Sequence, residues 1–284
     1  MVELDKEVND LYIELSQFRA THTYRRCNVT SVDWEYLVGG QGTETLLLLP
    51  GVHGLGELAF QHISRFEQTY RVISPDYPAG ATTVTQLIEG LLEILNAENI
   101  NAVHVVGGSY SGMIAQCLVR RHPDKIKKLI LDHTGPPSRK RIVPYKLFYK
   151  LLALLPITWI RMSLKLVNRL FPMEPVTQKT FWRAYFDEVI ATLTKKDYLS
   201  RIQVCLDFDQ NYRFTRDDLC CWSGEMLIIE SDNDTFVSSQ EREALKTLYP
   251  QAQIYTFRST GHSAWATQFE TFFSVIAQFL QEGK

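Results

Sequence analysis

The sequence predicts an α/β fold: a mostly parallel central sheet flanked by helices, with a helical cap inserted late in the chain. Three observations predict it. Short apolar runs alternate with helix-length amphipathic stretches between residues 45 and 131, the pattern of successive right-handed βαβ units. The run Leu46-Leu47-Leu48-Leu49 is unbroken, as a strand buried on both faces requires. The alternation then stops at Gly135 and resumes at Glu225-Met226-Leu227-Ile228-Ile229-Glu230. Residues 135–224 therefore read as a mainly helical cap insertion within a single domain spanning 1–284.

Taken in order, Leu4, Val8, Leu11, Leu15 and Phe18 recur at helical spacing, so residues 1–20 form an amphipathic N-terminal helix laid on something larger. A strand is expected over 29–38, ending at Gly39-Gly40, and a second over 45–49, ending at Pro50-Gly51. A helix near 57–69, a strand over 71–74, a helix over 84–96 and a strand over 102–106 follow. Next come a helix over 110–121 and a strand over 128–131. After the insertion a strand over 226–229, a helix over 239–248, a strand over 253–257 and a terminal helix over 264–281 complete the pattern. No internal repeat or low-complexity linker divides the chain.

Composition narrows the function classes. A hydrophobic share of 45% with 22% charged residues is that of a globular protein with a large core, and a net charge of −2 gives no reason to invoke nucleic acid. The five cysteines, Cys27, Cys117, Cys205, Cys220 and Cys221, are an odd number without metal-ligand spacing. Neither a metal nor a cofactor is expected. The first residues lack the basic and apolar regions of a secretory signal, and no apolar run reaches the about 18 residues of a membrane span. The expected location is cytoplasmic.

The chemistry concentrates where the 102–106 strand enters Gly107-Gly108-Ser109-Tyr110-Ser111-Gly112 and then a helix. A serine raised on a tight strand-to-helix turn needs small residues two positions before and two after it, since larger side chains strike the crossing backbone. Around Ser109 these are Gly107 and Ser111; around Ser111 they would be Ser109 and the bulky Met113. Ser109 is the candidate nucleophile. Serine is a weak nucleophile at neutral pH and needs a base, itself oriented by a carboxylate, later in the chain. His262 fits, because the 253–257 strand runs into Arg258-Ser259-Thr260-Gly261-His262 and places it at a strand's carboxyl end. The 226–229 strand ends in Glu230-Ser231-Asp232-Asn233-Asp234 at the same edge. Asp234 is the chosen acid, Asp232 its rival, and Asp132, beside His133 after an earlier strand, a third candidate. The oxyanion hole needs two backbone N–H groups. Tyr110 supplies one, and Val52 in the Pro50-Gly51-Val52-His53-Gly54 loop the other, proline having no N–H. His53 and His133 are the expected substrate contacts.

With elbow, acid loop and Gly-His loop in this order, the chain resembles the α/β-hydrolase superfamily over roughly 29–281. Leu49-Pro50-Gly51-Val52, Tyr70-Arg71-Val72-Ile73 leading to Tyr77-Pro78, and Leu248-Tyr249-Pro250-Gln251-Ala252 are similar to the maspardin-like branch. The superfamily usually carries His-Gly where this chain has Pro50-Gly51. The resemblance implies an α/β-hydrolase fold and a serine hydrolase cleaving a carboxylic ester or thioester. Two alternatives stay open: a catalytically quiet binding or adaptor protein like maspardin, and a carbon–carbon bond hydrolase using the same triad. The expected partner is a small ester or acyl substrate. Between Arg139 and Arg169 the cap carries eight basic residues and no acidic one, beside Trp159 and many aliphatic residues, which points to weak contact with a membrane surface. The sequence sets no oligomeric state.

Overall fold

The computed structural model describes residues 2–30, 32–170 and 176–282, with side chains throughout these ranges except at residues 2–7, 170 and 176–178. Its strands are β1 (Arg25–Val29), β2 (Val32–Gly39), β3 (Thr45–Leu49), β4 (Arg71–Pro75), β5 (Val103–Gly108), β6 (Ile126–Asp132), β7 (Glu225–Ser231) and β8 (Gln253–Phe257). They form one sheet in the order β1-β2-β4-β3-β5-β6-β7-β8. The β1–β2 and β2–β4 pairs are antiparallel and all others parallel. The helices are α1 (Val2–Thr21), α2 (Phe60–Phe66), α3 (Val84–Ala97), α4 (Tyr110–Arg121), α5 (Ile142–Leu154), α6 (Ile157–Leu170), α7 (Val176–Thr192), α8 (Lys195–Asn211), α9 (Ser239–Leu248), α10 (Ala264–Thr267) and α11 (Phe269–Gln281).

Every residue of β3 is buried, and alternation sends its side chains to opposite faces. Leu47 and Leu49 join the core under α3, α4 and α9. Leu46 and Leu48 join the core under α1, α2, α7 and α11. Burying one such leucine contributes about 1.5–3 kcal/mol, so β3 anchors both layers. The edge strands β1 and β8 are more exposed, as edges with one covered face are. In α1, Leu15 and Phe18 are buried and Leu11 packs beside them. Leu4 of the expected stripe lies outside the described side chains.

Two elements differ from the sequence reading. The strand expected over 29–38 is a hairpin, β1 turning into β2 at Thr30, whose φ of 46° is rare for a β-branched residue; no glycine marks the reversal. The terminal helix is broken at Gln268 (φ −129°, ψ 49°) into α10 and α11. Helices α5 to α8 fill the interval between β6 and β7, with no strand among its described residues.

The register fixes where loops emerge. Leu49 pairs with Gly107, Gly108 with Asp132, Asp132 with Ile229, and Ser231 with Phe257. The carboxyl ends of β3, β5, β6, β7 and β8 are thus level at one edge. Strand order reverses between β3 and β5, and open α/β sheets bind ligands at such a switch point.

Candidate active site

Strand β5 delivers Ser109 to that switch point at φ 49°, ψ −112°, a strained conformation for a residue with a Cβ, costing about 1–3 kcal/mol. The surroundings hold it there. Ser109 N–H donates to the Asp132 carbonyl (2.7 Å), and the Ser109 carbonyl accepts from Thr134 Oγ1 (2.8 Å) and Gly112 N–H (3.2 Å). A Cβ on Gly107 would lie 2.8 Å from Ala115 Cβ, and one on Gly112 2.5 Å from Thr134 Cγ2, so both positions demand glycine. Ser111 is fully buried. Its hydroxyl accepts Gly108 N–H (3.0 Å) and faces the Leu49 (3.1 Å) and Gly108 (3.0 Å) carbonyls, tying the elbow to β3. Ser109 is only half-buried, and its hydroxyl, like His262 Nε2, forms no hydrogen bond among the described residues.

The three residues after Ser231 fasten the histidine loop one by one. Asp232 Oδ1 accepts Ser259 N–H (2.8 Å), Asn233 Oδ1 accepts Gly261 N–H (2.8 Å), and Asp234 Oδ2 lies 2.8 Å from His262 Nδ1. The rival acids are therefore occupied elsewhere: Asp232 is exposed on the loop, and Asp132 faces His133. The Asp234 carboxylate is fully buried, and its Oδ1 accepts Phe236 N–H (2.8 Å) and Val237 N–H (3.1 Å). Burial works to raise its pKa, but His262 and these two N–H groups outweigh burial and hold it below the ordinary carboxylate value. It stays ionised against the imidazole.

His133, an expected substrate contact, follows Asp132 at the end of β6. It is buried at φ 43° with both ring nitrogens engaged: Nδ1 lies 2.5 Å from Asp132 Oδ1 and Nε2 2.6 Å from Ser231 Oγ, which in turn lies 2.6 Å from Thr260 Oγ1. Burial lowers its pKa, yet Asp132 more than reverses this and raises it. Its ring stands edge-on to His262, centroids 5.5 Å apart, so it supports the floor beneath that histidine.

On the other side of the elbow, the Gly51–Gly54 turn closes through Gly54 N–H to the Gly51 carbonyl (2.9 Å). Val52 at its tip is half exposed, 51%. Tyr110 N–H, at the first position of α4, lies among the donors that have no partner within a helix. His53 packs against Phe186 of α7, centroids 5.3 Å apart; burial, with the charge of Arg201, pushes its pKa down to about 4, keeping it neutral. Arg201, on α8, escaped the sequence reading because one arginine in a charged helix looks like a solvent-facing residue. It is 3% exposed. Its guanidinium donates to the Tyr77 carbonyl and reaches the Pro78 carbonyl (3.5 Å). Its Nε has no partner, and neither do the Tyr77 and Tyr110 hydroxyls. No carboxylate pairs with it among the described residues. An unpaired buried cation is costly, which makes this cluster a feature needing a reason. A surface groove of about 450 Å³ beside Glu14, Arg65 and Glu270 shares no residue with it.

Asp76 pins the same loop, its Oδ1 accepting Gly56 N–H (2.7 Å) and Tyr24 OH (3.3 Å). Burial pushes its pKa up to about 7, with Glu35 and Glu57 adding to the rise against those two donors. A folded pKa above the unfolded one means that this group's stabilising contribution is complete below about pH 4 and lost as pH rises through about 7. Denaturant midpoints should therefore fall more from pH 4 to 7 in the wild type than in Asp76→Asn. An equal fall in both would mean that Asp76 titrates normally.

The fold agrees with that of known proteins. Residues 44–267 match the family model described as alpha/beta hydrolase fold, and the chain belongs to that family; it is a hydrolase of the α/β-hydrolase type. A 2-hydroxymuconate semialdehyde hydrolase of Pseudomonas putida is 24% identical over 82% of this chain and 83% of its own length. The enol-lactonase of Burkholderia xenovorans superposes with a TM-score of 0.76 at 17% identity, covering 91% of this chain and all of its own. A thermophilic esterase of Thermogutta terrifontis superposes with a TM-score of 0.74 at 18% identity, covering 92% of this chain and 98% of its own. Among the described residues no helix is long and apolar enough to cross a membrane.

Proposed function

We propose that the chain is a serine hydrolase of carboxylic esters or thioesters. The observation that carries this reading is the 2.8 Å contact between His262 Nδ1 and buried Asp234, at the sheet edge from which strained Ser109 projects. In this reading Ser109 Oγ attacks the carbonyl carbon while its proton passes to His262 Nε2. Asp234 holds the Nδ1–H and stabilises the imidazolium. Val52 and Tyr110 N–H groups receive the oxyanion. Collapse of the tetrahedral intermediate breaks the bond to the alcohol or thiol, which takes the proton from His262. Water, activated by the same histidine, then frees the acid and restores Ser109. Helices α5 to α8 cap the site.

The test is covalent labelling. A fluorophosphonate should form one adduct, with loss of fluoride, on the peptide carrying Ser109, and prior labelling should block hydrolysis of a p-nitrophenyl ester. An adduct on another serine would remove the assignment, and no adduct at all would return the chain to a binding role. A second reading, carbon–carbon bond hydrolysis by the same residues, is favoured by Arg201: a buried cation lacking a carboxylate partner suits a substrate that brings its own, and the semialdehyde hydrolase of Pseudomonas putida is similar over most of its length. Turnover of an unsaturated keto-acid in place of the p-nitrophenyl ester would select it.

A further inference from the structure

Helices α5 and α6 each carry two apolar faces. Inward, Tyr145, Tyr149 and Leu152 of α5 meet Ile157, Ile160 and Leu164 of α6 in one cluster around Ile202 of α8. Outward, α5 presents Val143, Leu147, Leu151 and Leu154 at helical spacing, and α6 presents Trp159, Met162 and Leu166. A helix apolar on opposite faces is ordinarily buried on both; here Leu154 is 84% and Trp159 62% exposed. Both outer stripes lie on the sides of α5 and α6 that face away from the shared inner cluster. Seven large apolar side chains left exposed on two successive cap helices suit an interaction face.

Charge identifies the occupant. Lys146 and Lys150 each precede a leucine of the α5 stripe, and Lys165 and Arg169 flank the α6 stripe. None of the four makes an ion pair among the described residues, and no acidic residue lies between 139 and 169. A two-fold contact with a second copy would set like charges against each other with nothing to neutralise them. Anionic lipid headgroups would accept the charges while the acyl region takes the leucines and the tryptophan. We propose that the α5–α6 face docks on an anionic membrane surface. The proposal does not depend on the chemistry assigned to Ser109.

Co-sedimentation of the full chain with phosphatidylcholine vesicles, with and without phosphatidylglycerol, tests it. Binding should require phosphatidylglycerol at about 0.1 M salt and vanish near 1 M, where the Debye length falls from about 10 Å to about 3 Å. Lys146→Gln with Lys150→Gln should lower the partition coefficient about 25-fold, roughly five-fold for each surface lysine. Bromine-substituted acyl chains should quench tryptophan fluorescence in the wild type and not in Trp159→Phe, because the other tryptophans are buried or half-buried. Equal binding to both vesicles, no binding at about 0.1 M salt, or quenching that survives Trp159→Phe would overturn the proposal. A dimer split by Leu154→Ser, without vesicle binding, would do so by assigning the face to a second copy.

Discussion

Ser109→Ala is expected to lower ester turnover by about 10⁶-fold, the loss usual when the serine of such a triad is removed, while leaving the thermal midpoint nearly unchanged. The size follows from the arrangement at the end of β5. Ser109 Oγ has no structural bond to lose among the described residues, and alanine keeps the Cβ that already tolerates φ 49°. Only the nucleophile disappears. Ser111→Ala should behave in the opposite way: its hydroxyl holds Gly108 and the Leu49 carbonyl, so the variant should lose about 1 kcal/mol of stability and retain most turnover. Measuring kcat/KM on a short p-nitrophenyl ester beside the thermal midpoint separates the two serines. If Ser111→Ala abolishes turnover and Ser109→Ala does not, the nucleophile has been misassigned.

The parts that could be read from the sequence are those where local geometry dictates residue type. Glycine at 107 and 112 is forced by Ala115 and Thr134, so the elbow announces itself, and α4 spans the expected 110–121. Burial of β3 on both faces could be read because nothing polar interrupts Leu46 to Leu49. Features set by tertiary contacts were hidden. Thr30 reverses the chain at a positive φ without glycine, and Gln268 interrupts the terminal helix without proline. The engagement of both His133 nitrogens by Asp132 and Ser231 likewise depends on strands distant in sequence. Arg201 acquires its meaning only when α8 carries it over Tyr77 and Gly54.

The choice among the three acids was open in the sequence for a related reason: Asp232 and Asp234 share one loop, and only side-chain direction distinguishes them. Asp234→Asn should lower kcat by about 10⁴-fold. The amide is close to isosteric, so the loop stays closed, but asparagine carries no charge to stabilise the imidazolium. Its NH₂ can also donate to Nδ1, which leaves the proton on Nε2 and removes the lone pair that should accept from Ser109. Asp232→Asn keeps an oxygen for Ser259 N–H and should change kcat less than ten-fold. Asp132→Asn weakens the contact with His133, so its cost should fall on stability, about 1–3 kcal/mol for a buried partner left badly paired, with a modest change in kcat. Steady-state kinetics on the three variants, with denaturant unfolding of each, decides the matter. A larger loss of kcat in Asp132→Asn than in Asp234→Asn would move the orienting carboxylate to the end of β6 and leave the 2.8 Å contact at His262 as a loop fastener only.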